Sequence, residues 1–372
     1  MKRSKILYIM HVPWGWIKQR PHFFAEHLNK DFDVNVVYKK PLKVSSRNLI
    51  NKKDDTMAIS SFFVLPFQRI SFLKNIGFLK GINSYLVKIQ LPNIAGYDSV
   101  WVTSWAMYSL ISPFLPSKIR LIYDCMDDEL EFESVKNNPV ILKEALFFEK
   151  EVLKRASVVF CSSEYLKNKI VKRTGIDKEI IVLNNAIGIP DNSKDVEIKN
   201  EEVLNSVKAI NNSFMYVGAI SAWFDFDLIL NVLKKNASVS FILIGPCDVQ
   251  IPKHDRLHYL GTVDRDDIFQ LMENVEGLIM PFTLNELIRS VNPVKIYEYI
   301  YMSKPVIATR YSESELFEDY VYLYNNEEEF YNFILGIMEK KLTAKKSAVE
   351  NREFALLNTW EVRYGAVKQV IK

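Results

Sequence analysis

The sequence predicts an α/β chain of two doubly wound domains, and three observations carry that prediction. Short β-branched or aromatic runs alternate with helical patterns along nearly the whole chain, the order that a parallel sheet covered by helices requires. The alternation stops in a polar stretch between residues 190 and 212, which begins Pro190-Asp191-Asn192-Ser193-Lys194-Asp195, and then restarts. The length of 372 residues has room for two or three domains, at about 100–200 residues each. The first domain is therefore expected over 1–190 and the second over 191–350, with a helical segment at 351–372.

Taken in order, the first domain's strands are expected near 5–10, 34–38, 99–103, 119–124, 157–161 and 179–183. The second domain's are expected near 214–217, 239–244, 257–260, 277–281 and 304–309. Each run is short and ends in polar or glycine-containing sequence, as strands do. Pro21 marks one helix start, and Ser162-Ser163-Glu164 caps another. In the final segment Phe354, Leu357, Trp360 and Tyr364 recur along one side of a helix.

Composition narrows the class. Hydrophobic content of 48% with 25% charged residues is ordinary for a soluble globular chain. There is no apolar run of about 18 residues, and the apolar start is interrupted by His11 and Pro13 before it reaches signal-peptide length, so a cytosolic protein is expected. Cys125, Cys161 and Cys247 close apolar runs without metal spacing and are expected to be buried and reduced. Charge is lopsided: residues 1–190 carry 28 Lys and Arg against 18 Asp and Glu, and residues 191–372 carry 20 against 27. A basic first half suits an anionic partner. Within it, residues 62–80 interleave aromatics with Arg69, Lys74 and Lys80, the composition of a helix lying on an anionic membrane, and equally of a core helix with a solvated basic edge. No nucleic-acid motif accompanies these charges, so nucleic acid is not an expected partner.

Ligands of open parallel sheets sit beyond the carboxyl ends of the strands. After 277–281 comes Ser290-Val291-Asn292-Pro293-Val294-Lys295-Ile296-Tyr297-Glu298-Tyr299. Asn292 is expected to cap a helix whose first residue is Pro293, leaving amides and the Lys295 charge to attract an anion. Glu298, three residues on, shares a face with Lys295 and can accept two vicinal hydroxyls. The same pattern also suits a capped helix with a surface Lys–Glu pair. After 214–217, Gly218 permits a phosphate to approach backbone amides. After 5–10, Trp14, Trp16 and Arg20 either line an acceptor site or fill a loop. After 119–124, Asp124-Cys125-Met126-Asp127-Asp128-Glu129 crowds carboxylates into a basic domain. Asp127, ahead of Asp128 and Asp124, is the candidate general base, because neighbouring carboxylates raise one another's pKa. The competing reading is a helix cap with acids in the first turn.

These residues resemble GT-B-fold glycosyltransferases of the bacterial surface-polysaccharide type, such as teichuronic-acid and exopolysaccharide glycosyltransferases. The likeness runs over nearly the whole chain. It rests on Gln19-Arg20-Pro21-His22, Tyr123-Asp124-Cys125-Met126-Asp127-Asp128, Tyr216-Val217-Gly218, Leu260-Gly261-Thr262-Val263 and, most specifically, the 290–299 motif with Lys304-Pro305-Val306-Ile307. The resemblance implies two Rossmann-like domains with an interdomain cleft and a carboxy-terminal crossover helix that returns to the first domain. It implies an acceptor in the first domain and a nucleotide-sugar donor, UDP favoured, in the second. Glu298 would then hold the ribose, Lys295 with the backbone of Ser290, Val291 and Asn292 the diphosphate, and the main chain of Val263 the base.

Many retaining relatives carry two glutamates with seven residues between them, whereas here Ser290 stands eight before Glu298. The similar inverting glucuronosyltransferases use an aspartate of the amino-terminal domain, a role that Asp127 or Asp128 matches. Inversion is therefore expected, with no cofactor and no metal, because Lys295 and the helix terminus can stabilise a leaving diphosphate. The expected partners are the donor, a lipid-linked or oligosaccharide acceptor and the inner face of the plasma membrane. Two alternatives stay open: a nucleotide-sugar epimerase on the same plan, and a non-catalytic scaffold of polysaccharide assembly.

Overall fold

The computed structural model describes residues 3–15, 17–40, 57–65, 77–189 and 200–372. The chain forms two compact units, Met1–Asn184 with Trp360–Lys372, and Asn185–Thr359. The division falls between two adjacent asparagines, earlier than the polar stretch at 190–212. Side-chain bonds explain why. Asn184 donates to the Ser162 carbonyl at 3.0 Å, inside the first unit, while the Asn185 side chain donates to the Asn292 carbonyl at 2.8 Å, inside the second.

Among the described residues of the first unit seven parallel strands run β1 (Lys5–Met10), β2 (Asp33–Lys39), β3 (Ala58–Phe62), β4 (Ser99–Val102), β5 (Arg120–Cys125), β6 (Val158–Cys161) and β7 (Ile181–Val182). Their order is β3-β2-β1-β4-β5-β6-β7, so the direction of winding switches between β1 and β4. Strands β4 to β6 are buried at every position except Arg120, which is why, Ser99 and Asp124 apart, they read as apolar runs. Trp101, fully buried on β4, stacks on Tyr8 at 5.5 Å and Phe160 at 5.7 Å between ring centres, tying three strands together. The strand β3 has no counterpart in the sequence reading. It is an edge strand with only Phe62 buried, so it carries little of the apolar signal.

In the second unit the strands are β8 (Ser213–Val217), β9 (Ser240–Ile244), β10 (Leu257–Tyr259), β11 (Gly277–Met280), β12 (Val306–Thr309) and β13 (Tyr322–Tyr324). All pair in parallel, in the order β10-β9-β8-β11-β12-β13, and the switch lies between β8 and β11. The edge strand β13 is again one the sequence reading lacks.

The final segment is two helices, Ala348–Leu357 and Trp360–Ile371, where the sequence suggested one. Asn358 and Thr359 break it, because the Asn358 carbonyl accepts from the Ile187 amide at 2.9 Å and Thr359 bridges to Ile187. The apolar side expected along this segment is thereby divided. Phe354 packs on Tyr297, Phe317 and Tyr320 of the second unit, whereas Trp360 packs on Phe23 and Phe24 of the first. Leu357 is 70% exposed and belongs to neither core. Cys125 and Cys161 are buried, but Cys247 only partly so.

Candidate active site

The second unit builds its site at the carboxyl end of β11. Asn285 caps a short helix, Glu286–Ser290, by accepting the Ile288 amide at 2.9 Å. The next helix, Val294–Tyr301, starts one residue later than the sequence suggested, with Pro293 at its cap position. Asn292 is not the cap. Its side chain is fully buried, accepting the Asn185 amide at 3.0 Å and facing Glu313 at 3.4 Å, so it anchors the loop instead. Of the first amides of this helix, that of Ile296 already donates to the Pro293 carbonyl at 3.1 Å, which leaves those of Val294 and Lys295 to attract an anion. Tyr299 fixes the helix against β8, its hydroxyl accepting the Val217 amide at 2.8 Å.

One of the expected backbone contacts to phosphate, the Val291 amide, is already engaged, and so is the Ser290 side chain beside it. The Ser290 hydroxyl donates to the Leu287 carbonyl at 2.7 Å, and the Val291 amide to the Ile288 carbonyl at 3.0 Å. The Gly218 amide likewise donates to the Ile244 carbonyl at 2.9 Å. Its place is structural. A Cβ on Gly245, where φ is +142°, would stand 1.9 Å from the Gly218 carbonyl oxygen, so the ends of β8 and β9 approach as closely as backbone allows.

Lys295 and Glu298 do meet, as the spacing predicts. Lys295 Nζ lies 2.7 Å from Glu298 Oε2, and the carboxylate is almost sealed from solvent. A second cation was not anticipated: Arg265 Nη2 lies 2.8 Å from Glu298 Oε1. Burial by itself pushes the Glu298 carboxyl up, but the charges of Lys295 and Arg265 outweigh it and hold the group below the ordinary glutamate value. Arg265 follows the carboxyl end of β10, two residues beyond half-buried Val263. Inspecting strand ends a little further along would have found it.

The first unit gathers its groups at the carboxyl ends of β1, β4 and β5. Arg20, expected to line an acceptor site, is instead 3% exposed and forks onto Asp124, with Nη2 at 2.7 Å and Nε at 3.0 Å from the carboxylate oxygens. Its Nη1 donates to the Leu183 carbonyl at 2.5 Å. Asp128, one of two expected bases, is fully buried between Arg173 at 2.6 Å and Lys169 at 3.0 Å, and Arg173 also binds Glu149. These two aspartates are committed to ion pairs.

Asp127 is different. Among the described residues no cation or donor holds its carboxylate, and burial, offset by Arg20 and reinforced by Asp124 and Asp128, pushes its pKa up to about 6. Glu129 beside it is raised well above its ordinary value by burial, with Asp127 the next cause. His11, at the end of β1, has Nδ1 2.8 Å from Thr103 Oγ1, and burial with the His22 charge pushes it down to about 4. It is therefore a neutral imidazole. Trp14, partly exposed, lies on the His22 ring with centres 5.2 Å apart, and Trp16 lies outside the described residues.

No family model matches the chain. A Bacillus subtilis (strain 168) protein, TuaH, a candidate teichuronic acid biosynthesis glycosyltransferase, is 26% identical over 220 residues, 55% of this chain and 54% of that protein. The match thus spans about half the length of this curated relative. Among solved structures, Anabaena HepE in complex with UDP and glucose superposes with a TM-score of 0.73 at 16% identity, over 99% of both chains. Sucrose-phosphate synthase from Thermosynechococcus elongatus gives 0.71 at 13% identity, over 99% of this chain and 98% of that one. With two parallel sheets, each covered by helices and each switching direction beside a candidate site, the chain has the fold of the GT-B glycosyltransferases.

Proposed function

We propose that the chain is a glycosyltransferase that moves a sugar from a UDP-sugar to a hydroxyl of a lipid-linked or oligosaccharide acceptor, in the assembly of a surface polysaccharide such as a capsule or lipopolysaccharide. The observation that carries the reading is the sealed Glu298 carboxylate paired with Lys295 at a helix start beyond β11. Glu298 accepts the ribose hydroxyls, and Lys295 with the first helix amides takes the diphosphate. The base is read as uracil because HepE is bound to UDP and TuaH is named for teichuronic acid.

In the transfer, Asp127 removes the acceptor's hydroxyl proton as that oxygen bonds to the sugar's anomeric carbon and the bond to the diphosphate breaks. UDP leaves with the electron pair. Lys295 and the helix terminus neutralise the developing charge without calling on a metal ion. Ser290, where retaining relatives carry a glutamate, supports inversion. An intact Lys295–Glu298 pair and a carboxylate poised near neutrality favour this reading over a scaffold, and the basic first unit favours it over an epimerase.

Calorimetry with a panel of UDP- and GDP-sugars tests the donor site. Glu298→Ala and Lys295→Ala should each weaken UDP-sugar binding tenfold or more, since a charge-assisted hydrogen bond is worth about 1.5–3 kcal/mol and about 1.4 kcal/mol is a factor of ten. Wild-type affinity in both variants would remove the assignment.

Docking on the inner face of the plasma membrane is part of the same proposal. No helix among the described residues is long and apolar enough to cross a membrane. Residues 66–76 and the side chains of 77–80, hence Arg69, Lys74 and Lys80, lie outside the described residues. On either side of them in sequence, Phe63 is 46%, Tyr85 65% and Ile89 63% exposed. Basic residues near an anionic surface contribute about 1 kcal/mol each and are screened by salt. Flotation with anionic liposomes should therefore fall as salt rises. Equal recovery on neutral vesicles would show that charge has no part in it.

A further inference from the structure

Glu298 poses a problem of access. The proposed function needs its carboxylate to accept hydroxyls from a ribose, yet that side chain is only 2% exposed. Two partly exposed cations cover it, Lys295 on Oε2 and Arg265 on Oε1, with side-chain exposures of 28% and 31%. A sugar reaches the carboxylate only if one of them moves aside.

The two cations are not equivalent. Lys295 is held one helical turn from Glu298, and its single ammonium can meet a neighbouring phosphate with a small rotation. Arg265 reaches in from the start of another helix, Arg265–Glu273, and the same Nη2 that approaches Glu298 also donates to the Gly188 carbonyl at 2.9 Å. One nitrogen is thus divided between two acceptors, Glu298 Oε1 and the Gly188 carbonyl. A planar guanidinium is built to bind paired oxygens side by side, which a diphosphate offers.

We propose that Arg265 is a latch on the donor site, covering Glu298 while the site is empty and transferring to the donor's diphosphate when a ribose takes its place on the carboxylate. The inference rests on the nucleotide-sugar reading above and adds a residue that competes with the nucleoside and binds the phosphates. Its removal therefore acts with opposite signs on the two parts of the ligand. A purely structural arginine would not do this.

The test is calorimetry of the full chain with uridine and with UDP at pH 8, where Glu298 stays ionised, comparing wild type, Arg265→Ala and Arg265→Lys. Arg265→Ala should bind UDP about tenfold or more weakly, the scale of one lost charge-assisted contact, while binding uridine more tightly than wild type. Arg265→Lys should keep most of the UDP affinity. Because both affinities are read on the same folded molecules, a partly unfolded variant cannot imitate the crossed result. If Arg265→Ala leaves both affinities unchanged, or weakens both equally, the latch is overturned and the nucleotide reading stands. If the wild-type chain does not bind UDP, both fall.

Discussion

Asp127→Asn should lower turnover about 10²–10⁴-fold, the usual range for a lost general base, while donor affinity stays close to wild type. The expectation follows from elimination within one acidic cluster. Asp124 is forked by Arg20, and Asp128 is clamped by Arg173 and Lys169, so neither carboxylate is available to a substrate hydroxyl. Asp127 has no such partner among the described residues, and burial brings its pKa to about 6. The wild-type rate should accordingly fall as pH drops through about 6, because the base must be ionised to work.

Stability moves the other way, which provides a control. The folded carboxyl titrates above its ordinary value of 3.8, so its charge costs folding free energy fully above about pH 6 and not at all below 3.8. A neutral Asn at this position should therefore fold at pH 7 at least as well as wild type. Product configuration, read by NMR, is the independent check on inversion. Retention of the donor's configuration, or near-normal turnover of Asp127→Asn, would return the acidic cluster to a purely structural role.

Arg20→Ala should destabilise the first unit by about 3–5 kcal/mol, because it leaves the Asp124 charge buried with its principal partner gone. The pair is almost fully enclosed, with side-chain exposures of 2% and 0%, and the guanidinium additionally holds the Leu183 carbonyl near the end of that unit. Replacing both partners with apolar residues, as in Arg20→Met with Asp124→Leu, should cost much less, since no unpaired charge remains. Denaturant unfolding measures each variant. An acceptor ligand at position 20 would behave differently, raising the KM for acceptor while leaving the unfolding midpoint in place; that outcome would restore the sequence reading of Arg20.

The sequence by itself determined the alternation of strands and helices and the helix that carries Lys295 and Glu298. Both are local signals. A strand buried on both faces is apolar nearly throughout, as β6 and β11 are, and two residues three apart on a helix must share a face. Edge strand β3 escaped for the converse reason, since an exposed strand needs few apolar residues, whereas β13 is apolar but only three residues long. Only the tertiary structure decided which acidic side chain is open to chemistry. The sequence reading ranked Asp127 ahead of Asp128 and Asp124 but named no partner for any of them, and the cations paired with the other two lie 104 residues away at Arg20 and 45 away at Arg173. The same holds for Arg265 on Glu298, and for the two asparagines that divide the units between residues 184 and 185. A charge's partner is chosen by folded distance and burial, and no local periodicity records either.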